Sequence, residues 1–299
     1  MIPPHRILSL LCIITTCALP AQADFHPVPN FPALPPGVRP AAVSAVAIDS
    51  KGDIYSFHRT PAGTDPILVF NPSGKFIRSF GKNLFKSPHG LRIDPHDNLW
   101  LTDNADHIVI KMNLDGKVLL TLGQRGVPGE DDRHFNKPTD VAVADNGDFF
   151  VADGYGNSRV VKFDRDGKFL LAWGKKGKAP GQFNLPHAVR IDSKGLLYVA
   201  DRENNRIQIF DQNGKFIRQL TGFAPFGLFI TKSDDLYIAD GRANQILHLS
   251  PQGKTLETWG TPGHQPGQFL MPHGITVSPD GAIYTSEIDG KRIQKFEDH

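Results

Sequence analysis

The run Pro186-His-Ala-Val-Arg-Ile-Asp192 is followed by the turn Ser193-Lys-Gly195 and the alternating segment Leu196-Leu-Tyr-Val-Ala-Asp201. A second segment, Arg206-Ile-Gln-Ile-Phe210, leads through Asn213-Gly214 into a third, Lys215-Phe-Ile-Arg-Gln-Leu220. Period-two alternation between glycine-containing turns predicts four short antiparallel strands. Five further copies of the opening run occur. They are Val43-Ser-Ala-Val-Ala-Ile-Asp49, Pro88-His-Gly-Leu-Arg-Ile-Asp94, Pro138-Thr-Asp-Val-Ala-Val-Ala144, Pro225-Phe-Gly-Leu-Phe-Ile-Thr231 and Pro272-His-Gly-Ile-Thr-Val-Ser278. With the second residue of each run as register zero (Ser44, His89, Thr139, His187, Phe226, His273), the spacings are 45, 50, 48, 39 and 47 residues. Four strands repeating at this period are the signature of a propeller blade. The expectation is an all-β fold, a six-bladed β-propeller of four-stranded blades over residues 43–299. The last copy shows three strands, so the Pro-rich lead-in at 24–42 is expected to supply the missing edge strand and close the ring.

Composition agrees. The 299 residues include 29 Gly and 24 Pro, too many breakers for long helices. A formal charge of +2 gives no basic footprint for nucleic acid. Residues 1–23 hold Arg6, an apolar run from Ile7 to Leu19 and the small-x-small triplet Ala21-Gln-Ala23. They read as a signal peptide cleaved near Ala23, too short for a membrane helix. The expected product is exported (periplasmic or secreted), off the membrane and monomeric. Both cysteines, Cys12 and Cys17, would leave with the signal, excluding a thiolate site or a disulfide framework.

Two registers repeat for structural reasons. Register eleven is aromatic in every copy (Tyr55, Trp100, Phe150, Tyr198, Tyr237, Tyr284), as a core position between blades would be. Register fourteen is Asp in four copies (Asp103, Asp153, Asp201, Asp240) and reads as a turn acceptor.

Departures from the repeat point to function. Register zero is His in blades two, four and six only. Equivalent innermost positions converge on a propeller axis, so His89, His187 and His273 would meet there about 120° apart. Three imidazoles with an open fourth position form the ligand set of a catalytic zinc site. Chance gives this placement on the order of one time in a thousand. The competing explanation is a favoured Pro-His turn with locally bonded imidazoles. Register fifteen carries Arg59 and Arg202 in blades one and four, across the ring from one another. They could clamp an anion or be solvated loop cations. Tyr155 is the one tyrosine outside the aromatic register, flanked by Gly154 and Gly156 that would let the backbone turn tightly and present the phenol. A phenol becomes a usable base only beside strong positive charge. Catalytic and surface readings of this residue stand side by side.

The Pro-Gly-Gln-Phe runs at 180–183 and 266–269, with Ala200-Asp-Arg-Glu-Asn-Asn-Arg-Ile-Gln208, resemble the NHL-repeat family. A more specific resemblance is to the peptidyl-α-hydroxyglycine α-amidating lyase family, the lyase part of peptidylglycine α-amidating monooxygenase. It rests on Asp24-Phe-His26, Phe57-His-Arg59, Gly81-Lys-Asn-Leu-Phe85, Pro88-His-Gly-Leu91, Lys137-Pro-Thr-Asp-Val-Ala-Val143, Asp153-Gly-Tyr-Gly-Asn-Ser-Arg159, Ala200-Asp-Arg-Glu-Asn204 and Met271-Pro-His273. The resemblance implies zinc on His89, His187 and His273, an active-site Tyr155, and active-site Arg59 and Arg202. It implies cleavage of a small peptide or other carbinolamide to an amide and glyoxylate, with Tyr155 as base. It further implies a calcium ion on the backbone carbonyls of Val46 and Leu91 plus an Asp after the third His, but that position is Gly274. No monooxygenase domain accompanies the repeat, so either a separate enzyme makes the hydroxyglycine or the substrate is a different, ureidoglycolate-like carbinolamide. Two alternatives are a non-catalytic NHL propeller binding a protein or glycan partner, and a lactonase-like metal enzyme. The latter usually uses carboxylates on calcium.

Overall fold

The computed structural model describes residues 25–298, so the expected export signal with Cys12 and Cys17 lies outside the described residues. Six four-stranded antiparallel sheets follow one another around the molecule. Blade one consists of Val43–Ile48, Ile54–His58, Ile67–Phe70 and Phe76–Phe80. Blade two is Pro88–Ile93, Asn98–Asp103, Ile108–Asn113 and Val118–Leu122, and blade three Pro138–Val143, Phe149–Asp153, Arg159–Phe163 and Phe169–Trp173. Blade four is Pro186–Ile191, Leu197–Asp201, Arg206–Phe210 and Phe216–Thr221, and blade five Pro225–Ile230, Leu236–Asp240, Gln245–Leu249 and Thr255–Trp259. Among the described residues the one helix is a 3₁₀ turn, Arg202–Asn204, and none is long and apolar enough to cross a membrane.

Blade six closes the ring. Pro272–Val277, Ile283–Glu287 and Ile293–Glu297 are completed by the two-residue strand His26–Pro27, which pairs with Ile293–Glu297. The Val28 amide adds a bond to the Lys295 carbonyl at 2.8 Å. Phe25 packs on Trp259 and Phe31 on Tyr284, with ring centroids 5.1 and 5.7 Å apart. The edge left by the last copy is thereby paired.

In blades one, two and four the turn after the inner strand is held by a carboxylate, Asp49, Asp94 or Asp192. In blade four, Asp192 Oδ1 accepts from the amides of Lys194 (3.0 Å) and Leu196 (2.8 Å), and Gly195 takes the φ of +76° that the turn needs. The six aromatics of register eleven are all buried. They bridge neighbouring sheets: Trp100 of blade two, for example, lies 4.5 Å from Phe149 of blade three. Burial first, then nearby carboxylates, pushes the phenols of Tyr55, Tyr198 and Tyr237 up to about 12. They are core groups with no acid–base use near neutrality.

Candidate active site

The inner strand of every blade carries one residue too many. In blade four Pro186 pairs with Asp201 and Ala188 with Ala200, which leaves His187 between them unpaired. The same shift follows Val43, Pro88, Pro138, Pro225 and Pro272. A bulge re-aims the side chain it carries. Here it brings all six register-zero residues to one small chamber on the axis. The next residue is small in five blades, and a Cβ on Gly90 would stand 2.5 Å from the Thr139 carbonyl oxygen. The inner strands therefore approach as closely as a missing side chain allows.

His89, His187 and His273 meet at this centre. Their ring centroids are 4.8 to 4.9 Å apart and each pair of planes crosses at 76°, a three-fold arrangement. Each imidazole is held from behind by the neighbouring blade. Nδ1 of His89 donates to the Thr139 carbonyl at 2.7 Å, that of His187 to Phe226 at 2.6 Å, and that of His273 to Ser44 at 2.6 Å. A carbonyl only accepts, so the proton of each ring sits on Nδ1 and the Nε2 lone pair faces the axis. Burial, then the charges of His273 and Arg59, pushes His89 well below the usual imidazole range. Burial, His273 and Arg202 do the same to His187, and burial with Arg59 brings His273 down to about 3. Three neutral nitrogens, fixed in tautomer by backbone acceptors, could hold a metal ion.

Tyr155 caps the triad. Its hydroxyl lies 3.1 Å from Nε2 of His89 and 3.1 Å from Nε2 of His187. One hydroxyl proton cannot serve two acceptors, and a cation among the nitrogens would engage both lone pairs. Gly154 and Gly156 contribute differently from expectation. Neither has a positive φ; a Cβ on Gly154 would fall 1.9 Å from the Pro186 carbonyl oxygen, and one on Gly156 would strike the Asn136 side chain at 2.1 Å. They are required by close packing, which seats the phenol over the His89 and His187 imidazoles.

The two arginines divide. Arg202 Nη1 donates to the Tyr155 hydroxyl at 3.3 Å, and its guanidinium lies 4.5 Å from the centre of the Phe226 ring and 5.4 Å from that of Tyr155. Glu203 steadies it through Arg202 Nε at 2.9 Å. Arg59 Nε donates to the Pro88 carbonyl at 3.2 Å, beside His89. Both charges reach the triad, since each contributes to lowering its imidazoles. Phe226, which the repeat showed only as an odd register-zero residue, is the platform under Arg202.

NHL repeats match at residues 135–163 and 183–210. A probable peptidyl-α-hydroxyglycine α-amidating lyase of Caenorhabditis elegans is 32% identical, over 84% of this chain and 81% of its own length. The chain belongs to the peptidyl-α-hydroxyglycine α-amidating lyase family. Peptidyl-glycine α-amidating monooxygenase B of Xenopus laevis is 36% identical over 87% of this chain, and the match spans 34% of that longer protein. The chain thus corresponds to about a third of the monooxygenase. The virginiamycin B lyase structure from Staphylococcus aureus superposes with a TM-score of 0.61 at 18% identity, over 87% of this chain and 85% of that one, a likeness of fold.

The family's calcium does not fit these residues. A Cβ at Gly274 would stand 2.5 Å from Ser286 Oγ and 3.0 Å from Ala45 Cα, so no carboxylate has room there. The Leu91 carbonyl already accepts from Arg92 Nη1 at 3.2 Å. Sequence reasoning passed over Arg92 and Arg190, although both occupy register three of copies that read Pro-His-x-x-Arg-Ile-Asp. It also passed over Asp140, the one residue other than Gly or Ala at register one.

Proposed function

We propose that this chain cleaves an α-hydroxyglycine-type carbinolamide, –CO–NH–CH(OH)–COO⁻, to a terminal amide and glyoxylate. The observation that carries this is the Tyr155 hydroxyl, 3.1 Å from two axial imidazole nitrogens and 3.3 Å from the Arg202 guanidinium. A zinc ion on His89, His187 and His273 would supply a Lewis acid for the substrate hydroxyl. Tyr155 Oη, acting as the phenolate, takes the hydroxyl proton and then passes it to the departing nitrogen. The C–O pair closes to the aldehyde of glyoxylate as the C–N bond breaks, and the departing nitrogen gains one proton, so the count balances. Arg202 and Arg59 bring positive charge to the substrate carboxylate or to charge developing in the transition state. The buried phenols of Tyr55, Tyr198 and Tyr237 cannot substitute for Tyr155.

We further propose that the substrate comes from a separate monooxygenase and that the chain works after export. Glyoxylate release from a hydroxyglycine-terminated peptide, measured with metal content, tests the assignment. Tyr155→Phe is expected to lose roughly 10²–10⁴ in kcat while keeping its metal. His187→Ala is expected to lose both metal and turnover. Undiminished turnover in Tyr155→Phe removes Tyr155 as the base, whereas no glyoxylate release from the zinc-loaded wild type returns the chain to the binding-module reading.

A further inference from the structure

Immediately beneath the triad lies a buried cluster of charge. Asp140 is 3% exposed, and Arg190 and Arg92 are 11% and 17% exposed. Asp140 Oδ2 accepts from Arg190 Nη1 at 2.7 Å, from Arg92 Nη2 at 3.1 Å and from the Val189 amide at 3.1 Å. Its Oδ1 lies 3.0 Å from Arg92 Nε. Each guanidinium also reaches the carbonyl of the residue before it, Leu91 for Arg92 and Val189 for Arg190. Burial pushes Asp140 up to about 6 against the pull of Arg92; both its oxygens face guanidinium donors, as those of a carboxylate would. The cluster holds two guanidiniums and one carboxylate, a net single positive charge, which equals that of a divalent cation bound by one carboxylate.

Position gives this charge its meaning. Arg92 and Asp140 line the chamber of about 10 Å³ that the three imidazoles share. On the far side, Arg92 and Arg190 line an open bowl of about 520 Å³ with Asp49 and Asp94. The cluster therefore forms the wall between the chamber and the bowl. It ties blades two, three and four together where their inner strands converge.

We propose that Arg92, Asp140 and Arg190 form a built-in cation. They take over the structural work of calcium beneath the metal site and seal the channel, leaving the Tyr155 side as the approach to the triad. The guanidiniums supply what a calcium ion would: positive charge on inner-strand carbonyls, bridged by one carboxylate. The side chain that calcium would need at Gly274 is excluded by Ser286 and Ala45. The proposal rests on the triad holding a metal but not on the reaction, so its test needs no substrate.

The experiment uses the full exported chain, stripped of metal, reloaded with zinc, then equilibrated with and without about 5 mM calcium, above the dissociation constants of extracellular calcium modules. Wild type is expected to retain no calcium after dialysis, keep its zinc, and melt at the same temperature in both buffers. Arg92→Met leaves Asp140 with one partner and is expected to melt roughly 5–10 °C lower. Arg92→Lys, which keeps the charge but not the fork, should recover part of that loss; simple filling of space would not tell Met from Lys. Stoichiometric calcium in wild type, or a melting temperature that rises with calcium, overturns the proposal. So does an Arg92→Met protein as stable as wild type. If Arg92→Met does not fold, the wild-type calcium comparison decides alone.

Discussion

His58 stands at register fourteen of blade one, where four other blades have Asp. It is buried, with Nε2 2.8 Å from Ser56 Oγ. Burial pushes it down to about 4 from an ordinary 6.5. The unfolded chain then takes up a proton near 6.5 that the folded chain refuses until about 4. The stability tied to its neutral form is full above about pH 6.5 and is lost as the pH falls. By pH 5 the loss is on the order of 2 kcal/mol. Urea unfolding across this range should show it, and His58→Gln should flatten the slope. The lowered triad imidazoles act in the same direction. Residue types at these positions were legible from the repeat. The direction of each imidazole was not, because it depends on a carbonyl 39 to 229 residues away in sequence.

Blades two to six each depend on the carboxylate that ends the second strand: Asp103, Asp153, Asp201, Asp240 and Glu287. In blade four Asp201 is fully buried and accepts from Arg206 Nε (2.8 Å), Asn204 Nδ2 (2.8 Å), Gln208 Nε2 (3.2 Å) and the Asn184 amide (2.7 Å). Asp153 and Asp103 similarly gather the loops of their own blades. The sequence reading of these residues as turn acceptors holds and understates them, since they also anchor the loop that leads into their own blade. Asp201→Ala leaves Arg206 buried without its partner. It is expected to cost about 3–5 kcal/mol in equilibrium unfolding, a loss far beyond that of an exposed turn residue. The bulge after the first residue of each inner strand belongs to this scale as well. Alternation alone gives strands; the extra residue that aims register zero at the axis leaves no mark in a period-two pattern.

The ring closes through two residues of backbone pairing, His26 with Glu297 and Pro27 with Phe296. Little of the closure lies in those hydrogen bonds. Phe25 against Trp259 and Phe31 against Tyr284 bury the aromatic area that holds the lead-in down. Truncation through Pro32 is expected to destabilise by about 2–4 kcal/mol. It also uncovers the outer edge of blade six, so self-association in a sedimentation experiment should accompany the lower melting temperature.

The repeat by itself determined six blades, their strand order, the aromatic core register and the three alternate histidines, because these are local or strictly periodic features. It also singled out Tyr155, Arg59 and Arg202 as departures from the period. Only the tertiary structure decided that Arg202 is the arginine on the Tyr155 hydroxyl, that Phe226 supports it, and that Gly154 and Gly156 serve packing. It alone showed Arg92, Asp140 and Arg190 as one cluster, with Gly274 closed to a carboxylate. Such contacts join blades about 50 residues apart at the axis. Their chemistry depends on which chains converge there, and period and composition do not record that.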